Sequence, residues 1–358
     1  MRLAWAFAVI VFWCVPAQAE SPTNWMLRLT IHGRQIEGMP LHASAERVYL
    51  LGRDGQLWDF APGEARDYQK TSSRFQSYSA SEFRATLLRE LGDGFEVSGT
   101  SHYLVAHAKG QRDEWAQRFE DLYRSFVHYF SVRGFRLSEP ATPLIGIVCR
   151  NREDFQRYAI KEGISGGGIL GYYSNQTNRI VVYDMGGRAA NAAAWQETAA
   201  TIIHEATHQT AFNTGIHSRY TFPPTWVAEG LATMFEAPGV YDSRRYSERT
   251  DRLNRGRLRD FQQRVAPRHR PELLADLVAR DNFFRASPSA AYAEAWALTF
   301  YLVETQPRKY ADYLARTASH SPFVECTPAE RTADFTAVFG TDWRMLEAQF
   351  LRFVAGLK

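Results

Sequence analysis

Apolar and polar positions alternate through the first third of the chain and then recur at helical spacing. Met26 to Ile31 and Arg47 to Leu51 are rich in β-forming residues. Asp54-Gly55 stands between Arg47–Arg53 and Gln56–Phe60, a turn pair flanked by apolar runs that predicts a hairpin. Phe95 to Ala108 holds two more strands around Ser98-Gly99. The period then changes: Trp115, Phe119, Leu122, Tyr123, Phe126 and Phe130 share one face of a helix. Pro143 to Cys149 is a continuous apolar run, the pattern of a strand buried on both faces. Arg152 to Gly163 reads as a helix closed by its glycine. Ile169–Asn175 and Asn178–Asp184 read as strands paired around Gln176-Thr177. From about Ala189 onward the chain is mainly helical. A long helix runs up to the loop at Pro223-Pro224, and a second spans Thr225 to Ala237. Ser289–Thr305 and Trp343–Leu357 read as amphipathic helices of the core. The pattern predicts an α+β protein. A small β-rich module over residues 20–100 precedes one domain over 101–358, mostly helical toward its C-terminus.

Residues 1–19 stand apart. Arg2 is followed by an apolar run from Leu3 to Val15 and by Ala17-Gln18-Ala19, the pattern of a signal peptide. The run is too short to span a bilayer comfortably, and Phe12-Trp13 are too bulky for a lipid-modified Cys14. The expectation is an exported protein, periplasmic or secreted, cleaved near Ala19. Cys149 and Cys326 then remain. Pairing in an oxidising compartment and two separate thiols both stay open.

Apolar residues make up 45% of the 358 and charged residues 23%, a globular balance and not a disordered one. A net charge of +3 gives no reason to expect nucleic acid as a partner. Charge is uneven, however: Arg244 to Arg270 holds ten arginines against three acids. That segment reads as a solvated surface, or as a contact for an anionic surface such as lipid headgroups or an acidic polymer.

The candidate chemistry lies in the long helix, where His204-Glu205-Ala206-Thr207-His208 follows Ile202-Ile203. Residues four apart on a helix lie on one face, so His204 and His208 can present imidazoles to one metal ion. Glu205 adjoins the first of them, placed to act as a general base on a water. A helix with a polar stripe is the plainer reading, but two imidazoles and a carboxylate in an apolar setting need partners. A third protein ligand is required. The histidine pattern fails, because Ala211 and Thr214 stand where glycine and histidine are needed, and His217 is off pattern. Glu229 lies in the next helix among Trp226, Val227, Ala228, Leu231 and Ala232, and antiparallel packing would bring it to the metal.

This combination, H-E-x-x-H and then Trp226-x-x-Glu229-Gly230-x-Ala232, resembles the glutamate-zinc metallopeptidases, or gluzincins. More closely, Ile202–Gly215, Pro223–Glu236, the preceding Gly166–Asp184 and the later Tyr292–Leu302 resemble the bacterial DUF1570 family of exported peptidases with a peptidase-MA-like fold. The resemblance covers residues 100–305, and Arg47–Phe60 looks like the β segment that precedes the catalytic part in such proteins. It implies a gluzincin-like (zincin) catalytic domain with one Zn2+ held by His204, His208 and Glu229, and with Glu205 as the base. Many gluzincins place an acid four residues after the ligand glutamate to orient a histidine, and here that position is Thr233. The segment that reads a free α-amine in gluzincin aminopeptidases is absent, with Asn178–Asp184 in its place, which implies an endo-acting enzyme. Tyr292, on the family's downstream helix, is the candidate oxyanion donor, with a core aromatic as the other reading; Tyr183 is a weaker candidate.

The expectation is an exported zinc metallohydrolase acting on a peptide or protein substrate. The strands around Tyr172 and Val182 would offer an edge to an extended peptide. Two other classes remain: an amidase acting on a cell-wall or other non-protein amide, and a binding or scaffold protein with a vestigial metal site. The intact Glu205 weighs against the second, since a structural site has no use for a base.

Overall fold

The computed structural model describes residues 25–110, 114–164, 168–184, 192–270 and 272–358, without the side chains of 192–198. The expected signal segment lies outside the described residues. Two compact units emerge, one reaching Arg53 and resuming over Trp58–Gln76, the other formed mainly by Ser77–Lys358.

The first unit is a five-stranded sheet of β1 (Met26–Ile31), β2 (Arg34–Ala43), β3 (Val48–Gly52), β4 (Leu57–Phe60) and β5 (Ala65–Ser72), in the order β4-β3-β2-β1-β5. His32 and Gly33 both have positive φ, 48° and 78°, between the paired Ile31 and Arg34. That is the two-residue turn whose twist suits a tight hairpin. Leu29, Ile31, Ile36, Leu50 and Phe60 form its core.

The second unit holds β6 (Phe95–Gly99), β7 (Tyr103–Ala108), β8 (Leu144–Cys149), β9 (Gly171–Ser174) and β10 (Arg179–Tyr183), in the order β6-β7-β8-β10-β9. The inner strands β7, β8 and β10 are parallel, and the two edge strands are antiparallel to their neighbours. Its described helices are α1 (Ala80–Leu91), α2 (Glu114–Ser131), α3 (Arg152–Lys161), α4 (Ala192–Asn213), α5 (Thr225–Phe235), α6 (Pro238–Tyr241) and α7 (Arg255–Asp260). They continue with α8 (Leu273–Ala279), α9 (Asn282–Ala286), α10 (Pro288–Thr305), α11 (Pro307–Ala318), α12 (Pro328–Phe339) and α13 (Trp343–Ala355).

All six residues of β8 are buried, as the unbroken apolar run predicts, because helices cover both faces of the sheet. Ile145, Ile147, Val181 and Tyr183 pack with Phe83, Leu87 and Phe155 of α1 and α3. Leu144, Val148, Ile180 and Val182 pack with Trp115 and Phe119 of α2 and with Ile202 and Ala206 of α4. The expected boundary at residue 100 falls inside this unit. β6 pairs with β7, and Phe83 and Leu87 of α1 pack beneath it, so residues 77–100 belong to the second core. The turn there is centred after Gly99, not on Ser98-Gly99.

The expected amphipathic stripe of α10 gives way to a helix buried on all sides, with 13 of its 18 residues inside. It is the axis of the helical half, packed against α5, α7, α9, α11 and α13. Glu294 lies within it, fully buried, and neither carboxylate oxygen has a hydrogen-bond partner among the described residues. Burial, aided by Glu347 and opposed by Arg270, pushes this carboxyl up to about 8. A raised folded-state value means stability that is complete below the ordinary carboxylate range and is lost as pH rises through about 8. The melting temperature should therefore fall across that window, at roughly 2–4 °C per kcal/mol lost for a unit of this size. Glu294→Gln should flatten the fall in a pH series of thermal melts, and an unchanged slope would refute it.

Cys149 is buried at the end of β8 and Cys326 is half-buried before α12; both are free thiols.

Candidate metal centre

The site is built where α4 and α5 pack together. Pro224 stands at the N-cap of α5, and the first turn is held by Asp281, whose carboxylate accepts from the Thr225 N–H at 3.0 Å. Trp226, Val227 and Leu231 anchor it in the core. That burial directs Glu229 toward α4. His204, His208 and Glu229 converge so that one ligand atom from each lies within 4.8 Å of the others. The Nε2 atoms of the two histidines are 3.1 Å apart. Glu229 Oε2 is 3.2 Å from the first and 3.6 Å from the second.

His204 is fixed from behind. Its Nδ1 donates to Glu236 Oε1 at 2.8 Å, so in the neutral ring the lone pair of Nε2 faces the cluster. Glu236 Oε2 in turn accepts from Asn254 Nδ2 at 2.7 Å, and the same amide donates to the Thr233 carbonyl at 2.9 Å. Thr233 itself spends its hydroxyl on the Glu229 carbonyl at 2.7 Å. The acid absent at the fourth position after Glu229 is thus supplied at the seventh. Seven residues are two helical turns, so Glu236 returns to the face of Glu229. The spacing is visible in the sequence once both positions of that face are considered. If zinc is the ion held, Glu236→Gln should weaken its binding roughly 10–100-fold, whereas Thr233→Val should leave it nearly unchanged. Competitive titration with a chelating dye measures both, and equal effects would assign no orienting role to Glu236.

Tyr292 of α10 also reaches the cluster. Its ring lies 6.4 Å from that of His204, and its hydroxyl lies near Glu229. Burial, then Glu229, pushes the phenol well up, so it keeps its proton. The Arg257 guanidinium lies 5.2 Å from the Tyr292 ring centre and 4.0 Å from Glu236. Part of the arginine-rich segment is therefore wall and not free surface: Leu253, Leu258, Phe261 and Val265 are buried in the core. Arg252 pairs with Glu304 at 2.9 Å. Arg244 and Arg245 stay exposed, and with Arg118 and Arg124 they line a cavity of about 740 Å³ beside α2, to which Asp121 and Asp242 add opposite charge. None of His204, His208 and Glu229 lines it.

Opposing forces set the charges. Burial would lower His204, but hydrogen bonds to Glu229 and Glu236, with the nearby Glu205, raise it well above the ordinary imidazole range. Burial would raise Glu229, but His208 and His204 outweigh it and hold the carboxyl below the usual range. At Glu205 burial wins over His204 and His208, and the carboxyl is raised. The Tyr173 N–H of β9, the edge strand that packs on α4, lies near Glu205 and opposes this rise.

Two candidates lie elsewhere. Tyr183 packs on Phe155, on the sheet face turned away from α4. His217 is buried against Phe212 and is pushed down to about 3, by burial and then by His208, so it stays neutral; it is outside the three-residue cluster.

Residues 198–324 match the model of a family described as a protein of unknown function, DUF1570. The matched segment holds His204, His208, Glu229, Glu236 and Tyr292, and the match supports the DUF1570 resemblance. No curated protein matches the chain.

Proposed function

We propose that this protein is an exported, single-zinc metallohydrolase of the gluzincin type that cleaves amide bonds within peptides. The observation that carries the reading is a convergent His204, His208 and Glu229 set with a separate carboxylate, Glu205, beside it and near β9, an edge strand among the described residues. The donors fit the metal: two imidazole nitrogens and a carboxylate oxygen suit zinc, and three protein ligands are the count of a catalytic site. Zinc held there supplies Lewis acidity, which lowers the pKa of a water and polarises a carbonyl.

The remaining tasks fall to the chain itself. Glu205, with its raised pKa, accepts a proton from the attacking water and passes it to the leaving amine. Glu236 and Asn254 keep His204 in the tautomer that presents Nε2. Tyr292 retains its proton and donates a hydrogen bond to the oxygen on which negative charge develops. The side of β9 left without a partner strand among the described residues receives an extended peptide as an added strand. No amine-reading segment precedes α4, so cleavage is proposed within chains and not at an N-terminus.

Elemental analysis of the purified full chain, paired with cleavage of an unfolded protein, tests this reading. About one zinc per chain is expected, and Tyr292→Phe should retain it while kcat falls roughly 10²–10³-fold. A chain that takes up no zinc on supplementation overturns the proposal. Zinc uptake with cleavage of a cell-wall peptide alone would redirect it to an amidase.

A further inference from the structure

Helices α11 and α12 bring together a second set of reactive groups, which shares no residue with the metal centre. Cys326 directly precedes Thr327, the N-cap of α12. Its thiol is hydrogen-bonded to Nδ1 of His320. Nε2 of the same ring lies 2.6 Å from Asp334 Oδ2, and Arg316 holds the other Asp334 oxygen at 3.2 Å. A thiol on one imidazole nitrogen and a carboxylate on the other is the order of a nucleophilic cysteine with an oriented base. The start of α12, a helix of 12 residues, adds a positive dipole end that favours a developing thiolate. Burial, with Glu330 and Asp334, pushes the resting thiol up, so the imidazole must remove its proton as the sulfur attacks.

Cys326 is half-buried, and the space behind its sulfur limits what can be held there. Cys326, His320, Asp334, Tyr313 and Arg331 line a cavity of about 10 Å³, room for about one water-sized molecule. A peptide or acyl substrate does not fit. Two donors of that lining, the fully buried Tyr313 hydroxyl and Arg331 Nε, have no hydrogen-bond partner among the described residues. Unsatisfied buried donors are costly and call for a small polar acceptor.

We propose that Cys326 is a peroxide-reactive thiol at the mouth of this cavity, which seats the leaving oxygen of hydrogen peroxide, with Tyr313 and Arg331 donating to that oxygen and His320 acting as base. His320 Nδ1 takes the proton from Cys326 Sγ, and the sulfur lone pair attacks one peroxide oxygen. The S–O bond forms as the O–O bond breaks. The departing hydroxide recovers the proton from His320 and leaves as water. Sulfur is oxidised by two electrons to the sulfenic acid, and the peroxide is reduced to water. Cys149 is an internal control: it is buried, its thiol is pushed up to about 12 by burial, and its nearest charges are Asp154 and Arg150.

The full chain is treated with hydrogen peroxide, trapped with dimedone and mapped by mass spectrometry. Label on Cys326 and not on Cys149 is expected, formed faster than on free cysteine. His320→Gln should slow labelling roughly 10²-fold or more, the usual scale of a general base. Tyr313→Phe keeps the ring stacked on Trp226, and should slow reaction with peroxide while leaving alkylation by iodoacetamide unchanged. A wild-type Cys326 that reacts no faster than free cysteine overturns the proposal, whatever the variants do. Equal slowing of peroxide and iodoacetamide in Tyr313→Phe overturns the part assigned to the cavity donors.

Discussion

Glu205→Gln is expected to bind zinc as the wild type does and to lose cleavage by roughly 10²–10⁴-fold, the contribution of a positioned general base. The amide is nearly the same size and, like the carboxylate, can accept from the nearby Tyr173 N–H, so the pocket keeps its shape. What disappears is the ability to take a proton. Glu229→Gln should behave differently. Its oxygen lies within 3.6 Å of both histidine Nε2 atoms, and the two imidazoles hold it as a carboxylate. An amide there supplies a weaker, neutral donor, and zinc should be lost together with activity. Elemental analysis and turnover on one substrate separate the two variants. If Glu205→Gln loses zinc as readily as Glu229→Gln, Glu205 is a ligand or a structural acid and not the base. If both keep zinc and activity, the cluster is not the reaction centre.

Gly230→Ala should be among the most damaging single-methyl changes in the chain. A Cβ at this position would meet the backbone oxygen of Ala295 at 2.6 Å and would also clash with the Thr299 hydroxyl. Both obstacles belong to α10, the buried axis of the helical half, and a backbone carbonyl cannot swing aside as a side-chain tip can. Overpacking of this kind costs roughly 1–3 kcal/mol, and the upper end is expected where backbone must move. The penalty reaches the site as well, because Glu229 is the adjoining residue and α5 would be forced away from α10. Denaturant unfolding should show the loss in stability, and zinc titration a parallel loss in affinity. Unchanged values in both would mean that the two helices are less closely apposed than this geometry requires.

The features legible in the sequence are those governed by local geometry. Any helix through His204 and His208 sets them one turn apart on one face, whatever surrounds it. The unbroken apolar run of β8 announces a strand covered on both sides, and the alternation of β1 to β4 announces a sheet. Glu229 was legible because apolar neighbours make a lone acid conspicuous. Only the tertiary structure decides what comes from elsewhere. Glu236 closes on His204 because α5 runs two turns beyond Glu229, and Asn254 and Arg257 join it because α7 packs on the central helix. Tyr292 faces the cluster and Tyr183 does not, a difference set by which sheet face and which helix side meet α4. The same holds for the boundary after Gln76, for α10 being buried all round, and for Cys326, His320 and Asp334 meeting across two helices. Spacing along one helix follows from 3.6 residues per turn, whereas convergence between helices follows from which apolar surfaces exclude water together, and that depends on the whole chain at once.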